Sequence, residues 1–196
     1  MTTTHFFVEL LVIGFGALAW LGPLVAVLLG ADPRALSSSV LSSASVLPLL
    51  SVAYLLGILV DRVADWVFTR VDENLLRQHF AEDRNRYFDA RRVMVVHAPA
   101  LWAHLEYGRS RLRICRGWVL NAVLIALVFD LMLAQAVWAP TLSASQVTAA
   151  NLLLLGIAIV SFLSWRALNR KEYSKIQRQG AWVKETLLKE SGGSGE

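Results

Sequence analysis

The chain alternates between long apolar runs and stretches dense in charge. Four runs stand out: Phe6–Gly30, interrupted by Glu9; Val40–Val60; Gly117–Ala139, interrupted by Asp130; and Thr148–Leu168, with Arg166 near its end. A helix needs about 20 mostly apolar residues to cross a bilayer. Lipid offers no partner to a backbone N–H or C=O, so such runs must be helical. The pattern predicts four transmembrane helices.

Between the second and third runs the pattern changes. Val63, Val67, Val71, Leu75, Leu76, Phe80, Tyr87 and Phe88 recur at roughly helical spacing among charges. No Gly or Pro occurs from Asp61 to Ala98. The spacing predicts that the second span continues as an amphipathic helix to about Ala90. The run VMVVHAP breaks that pattern. Pro99 suits the first turn of a new helix, which passes through Leu101, Leu105 and Leu112 into the third span. After the fourth span, Ile176, Val183 and Leu187 line one side of a further helix, which Gly180 weakens.

The expected organisation follows. Residues 1–60 hold spans one and two, and 61–116 form a helical hairpin. Residues 117–168 hold spans three and four, 169–190 form a C-terminal helix, and 191–196 (SGGSGE) read as linker. The fold class is an all-α polytopic membrane protein: four transmembrane helices with a cytoplasmic helical hairpin extension.

Composition agrees. Hydrophobic residues make up 56% of the chain and charged residues 17%, which is too apolar for an ordinary soluble domain. The charge is also unevenly placed. Arginines crowd residues 61–116, and Arg and Lys crowd the segment after residue 165. The other two connections hold one Arg (ADPRALSSS) and no charge (PTLSASQV). The positive-inside rule then puts the arginine-rich segments, and both termini, on the cytoplasmic side of a plasma (inner) membrane. Trp66, Trp118 and Trp165 fall at the inner ends of spans and Trp138 at an outer end, as an aromatic belt requires. The formal net charge of +4 is thereby a topology signal, and no nucleic-acid partner is implied. With Cys115 as the single cysteine, no intramolecular disulfide can form.

Carboxylates inside apolar runs are the candidate functional groups. Ala122, Ala126, Asp130, Ala134 and Trp138 are four residues apart and share a helix face. Small residues at that spacing let helices approach closely. An intramembrane carboxylate is costly, and function is its default explanation. Ser51, Tyr54, Ser161, Asn151 or another subunit are the polar partners available to Asp130. In span two, Ala53, Gly57, Asp61 and Asp65 repeat the four-residue spacing and carry two acids to the inner mouth. In a symmetric assembly such acids form carboxylate rings that concentrate cations. The plainer alternative is a solvated face whose acids pair with arginines. Gly22 and Ala26 lie on a third small-residue stripe, expected to pack helices.

Enzyme chemistry finds little support. Gly57-x3-Asp61-x3-Asp65 matches the second half of the CDP-alcohol phosphotransferase pattern, but the Asp-Gly and Ala-Arg of its first half are missing upstream, so that dimetal site cannot form. Arg92-x4-His97 fits only the loose spacing of HEPN ribonucleases. No Gly-rich phosphate loop, metal-ligand set or Ser/His/Asp triad is evident, and no cofactor is expected. Two functions remain. One is a homo-oligomeric channel or pore, cation-conducting or a gated depolarising effector, with Asp130, Asp61 and Asp65 on the ion path. The other is a membrane anchor whose cytoplasmic helices dock a soluble protein.

Overall fold

The computed structural model describes residues 3–30, 46–80, 84–135 and 142–193. Five helices account for nearly all of them: α1 (Thr3–Leu28), α2 (Val46–His79), α3 (Arg84–His97), α4 (Pro99–Ala134) and α5 (Ala144–Gly193). No strand occurs among the described residues. Four helices, α1, α2, α4 and α5, are long and apolar enough to cross a membrane.

Local chemistry explains the helix boundaries. α2 stops at His79, short of the expected Ala90, and α3 begins at Arg84. Arg77 occupies the last turn of α2, where a cation complements the helix dipole. The His79 Nδ1–H donates to the Leu75 carbonyl at 3.0 Å, satisfying one terminal acceptor. The run VMVVHAP is less disruptive than its composition suggests. α3 continues through it to His97, and only Ala98 leaves helical geometry. Pro99 then opens α4, as a residue without an N–H does at a first turn. α5 runs unbroken from span four into the C-terminal segment and includes Ser191–Gly193; the expected separate helix is a continuation.

The chain divides into two compact units. One comprises Thr2–Trp66 and Arg113–Ser164; the other comprises Val67–Leu112 and Trp165–Glu196. We call them the apolar unit and the charged unit.

Inside the apolar unit, α1 and α2 meet backbone to backbone. A Cβ added to Gly14 would collide with the Ala53 carbonyl, and one on Gly57 with the Leu10 carbonyl. Only glycine fits at these two crossings. Gly117 of α4 packs on Ile13, whose side chain lies 2.9 Å from where a Cβ would stand. Ile13, Ala17 and Val60 form the core, flanked by Trp20, Leu56 and Leu120. α5 contributes little: 6% of its most apolar window is buried, against 33% for α1. Leu152, Leu153, Leu155, Ile159, Val160 and Leu163 are exposed on it. That apolar surface requires lipid or another apolar partner.

The charged unit is built on larger side chains. Leu75, Phe80, Tyr87, Met94, Leu105, Tyr173, Ile176 and Val183 are buried. Phe80, Tyr87 and Tyr173 meet edge-on with centroids 5.4–6.3 Å apart. Asp72 of α2 accepts from Asn169 Nδ2 and, at 2.8 Å, from the Tyr173 hydroxyl of α5. Arg109 donates to the Tyr87 hydroxyl at 2.9 Å. Trp165, expected in an aromatic belt, is 1% exposed and packs edge-on against Phe68 at 4.8 Å. Trp66 fits the belt expectation better, being 79% exposed. Trp138 lies outside the described residues.

Candidate functional site

The ionisable groups of the apolar unit take three different environments. Asp130 is exposed on α4, and its Oδ1 accepts from Asn151 Nδ2 of α5 at 2.8 Å. Among the partners open to it in the sequence, the structure selects Asn151. Ser51 instead donates to its own helix at Leu47, and Tyr54 stacks against Phe7 with centroids 5.0 Å apart. Asn151 Oδ1 is buried and has no hydrogen-bond partner.

The α4 stripe is packed at one end only. Ala122 is buried, Ala126 is half-buried, and Asp130 and Ala134 are exposed. The chain therefore presents a hydrogen-bonded Asp–Asn pair on the outside of an apolar bundle. Asp130 lies 13 residues beyond Gly117, about 20 Å along the helix at 1.5 Å per residue. Water or protein must solvate such a pair, because hydrocarbon cannot.

Asp61 and Asp65 differ from each other although they sit four apart. Asp65 accepts from Arg116 at 2.6 Å, which realises the arginine pairing that competes with a carboxylate ring. Asp61 is not on a solvated face. It is 9% exposed, and its buried Oδ1 has no hydrogen-bond partner. The cause is the stripe below it. Ala53 and Gly57 are buried against α1, so the same helix face carries Asp61 into the interior of the apolar unit. A buried carboxylate oxygen without a donor is unfavourable unless a proton, water or cation meets it. Arg113 of α4 stacks over the Phe6 ring at 4.8 Å, so two α4 arginines cover this end of the unit.

The remaining small residues divide. Ala26 is 2% exposed, whereas Gly22 is exposed and a Cβ there would meet nothing within 4 Å. The tight α1 contact runs instead through Leu10, Ile13, Gly14 and Ala17.

Two polar residues escaped the sequence reading. Glu9 is 5% exposed and faces its own bundle. Asn121 is fully buried; its Nδ2 donates to the Ile13 carbonyl at 2.8 Å, and its Oδ1 accepts from Trp20 Nε1 at 3.1 Å. Gly16 leaves the space for it, since a Cβ there would collide with the Asn121 amide. The available signal was an amide one helical turn after Gly117 in an apolar run, opposite a Gly-x-Gly pair.

Among the described residues, no three His, Cys, Asp or Glu side chains converge to hold a metal ion. Comparison with protein-family models, with curated proteins and with solved structures finds no match to this chain.

Proposed function

We propose that the chain is one subunit of a homo-oligomeric membrane channel or pore that conducts cations past Asp130. One observation carries the reading: Asp130, hydrogen-bonded to half-buried Asn151, lies exposed in an otherwise apolar stretch of α4. A neighbouring subunit or a water-filled axis would meet its solvation requirement, and four thin helices cannot enclose a wide pore alone. The bare apolar face of α5 supports assembly in the same direction. Asp61, buried with an unmet oxygen, is a candidate gate or proton-binding group within each subunit. Asp65 stabilises the inner mouth through Arg116. The arginine asymmetry favours a plasma (inner) membrane orientation with both termini and the charged unit cytoplasmic.

The test is flux. Purified protein in liposomes should conduct cations, and Asp130→Asn should assemble normally yet change selectivity or lose flux. Asn keeps the size and the hydrogen bonding but not the charge. Wild-type flux from the Asn variant, across ions and pH, would reduce the aspartate to structural glue. Orientation is tested separately. Ser143→Cys should react with an impermeant thiol reagent from outside, and Ala81→Cys should not.

A membrane anchor that docks a soluble protein is the second reading. It is favoured by the charged unit having a core of its own and presenting Trp182, 63% exposed, at its surface.

A further inference from the structure

A cavity of about 290 Å³ opens in the charged unit. His79 and Phe80 line it from the end of α2, Arg86 and Asp89 from α3, and Gln177 and Lys184 from α5. We propose that this cavity binds a small organic phosphate. The inference does not depend on conduction, since every lining residue belongs to the charged unit.

The cavity has a definite structural origin. Gly180 of α5 and Ala90 of α3 both line it, and a Cβ on Gly180 would stand 2.6 Å from the Ala90 Cβ. Glycine in a helix interior costs about 1 kcal/mol relative to alanine. Here it allows α3 and α5 to touch beside the cavity. Phe80 is 4% exposed and closes one wall with apolar surface.

The lining chemistry selects the ligand. Among the described lining residues, Arg86 and Lys184 bring two cations and Asp89 one carboxylate. An arginine fork and a lysine point charge together suit a doubly charged phosphate better than a carboxylate. His79 already commits Nδ1 to the Leu75 carbonyl, which leaves Nε2 as its remaining ring nitrogen. The Gln177 amide adds a neutral donor and acceptor. Asp89 opposes a bare anion but accepts from a hydroxyl, so the phosphate should carry an organic part with hydroxyl donors. The volume lies near the lower end of the roughly 300–1,000 Å³ typical of small-molecule pockets, which fits a monosaccharide-sized ligand. The same phosphate chemistry could arrive on a free metabolite or on a lipid headgroup.

The experiment is a titration of the purified full chain in detergent, followed by thermal unfolding through tryptophan fluorescence. Glucose 6-phosphate is the free probe, glucose the phosphate-free control, and short-chain phosphatidic acid in mixed micelles the lipid probe. A saturable upward shift with glucose 6-phosphate, and none with glucose, is expected. Arg86→Gln and Lys184→Gln should each weaken it about tenfold or more, the loss expected of a charge-assisted hydrogen bond. Both positions are exposed, so the unliganded variants should unfold near the wild-type temperature. Asp89→Asn should lower the preference for glucose 6-phosphate over inorganic phosphate, because it removes both the repulsion of a bare anion and the charge-assisted acceptor of the sugar hydroxyl. A response to phosphatidic acid alone, lost in the same Gln variants, would keep the site and assign its phosphate to lipid. Three results would overturn the proposal: no saturable response to either phosphate, an equal response to glucose, or binding unchanged in both Gln variants.

Discussion

The apolar unit and the charged unit solve the same packing problem with opposite materials. In the apolar unit the closest contacts are backbone on backbone, at Gly14 against Ala53 and Gly57 against Leu10. In the charged unit they are large side chains, with Phe80, Tyr87 and Tyr173 meeting edge to edge. Lipid around the apolar unit and water around the charged unit would account for the difference. Lipid tails are as apolar as leucine, so burying leucine from lipid gains little, and association relies on close van der Waals approach and a few hydrogen bonds. Water penalises exposed aromatic surface, so burying it stabilises directly. Polar groups follow the same division. Among the described residues, the apolar unit buries the Asn121 amide with both ends met, and also buries the carboxylates of Glu9 and Asp61. The charged unit spreads its polar ties over Asp72, Asn169 and Tyr173.

That contrast can be broken most forcefully at Gly57. Gly57→Leu places a side chain inside the Leu10 backbone and should cost at least about 3 kcal/mol. Unfolding in detergent should show it, and a stable Leu variant would mean that α1 and α2 do not cross there. Asn121→Leu comes next. It strands the Trp20 N–H and removes the bond to Ile13, for about 1–2 kcal/mol; unfolding in mixed micelles measures it. On the other side of the comparison, Asp72→Asn keeps the shape but removes the charge that two donors share. A loss of about 1 kcal/mol is expected, seen as faster amide hydrogen exchange around Asn169–Ile176, with exchange in α1 unchanged. The smallest stability effect belongs to Asp130→Asn. Its exposed position predicts a change within about 0.5 kcal/mol, while conduction changes. A large destabilisation at Asp130 would make it a packing residue, like Asn121.

These contrasts also mark what the sequence made legible. Four helices long and apolar enough to cross a membrane were readable because apolar runs of about twenty residues are longer than the helices that usually fill a soluble core. The start of α4 was readable because Pro99 is locally decisive. The end of α2 was not. Aromatic residues kept the helical spacing past His79, at Phe80, Tyr87 and Phe88, and apolar periodicity alone does not register a helix end capped by a histidine on a carbonyl. The small-residue stripes were legible as a type but not as a location. Spacing by four pointed to Gly22, yet the contact formed at Gly14, because a stripe does not state which neighbour it faces. Asp61 shows the same limit. Its position on the Ala53–Gly57 face was clear, but burial depended on α1 covering that face. Glu9 passed as a mere interruption, since nothing in one sequence says which side of a helix is inward.

The order of synthesis gives the Gly14–Gly57 crossing a further significance. Both partners of that crossing leave the ribosome before α4 is made, so the first hairpin can close on itself during translation. At ~5–20 residues per second, Asn121 follows seconds later. An α1–α2 hairpin closed in that order would already offer the Ile13 carbonyl and the Trp20 indole when Asn121 emerges. The amide would then meet a prepared template, and the first hairpin would serve α4 as a built-in assembly guide.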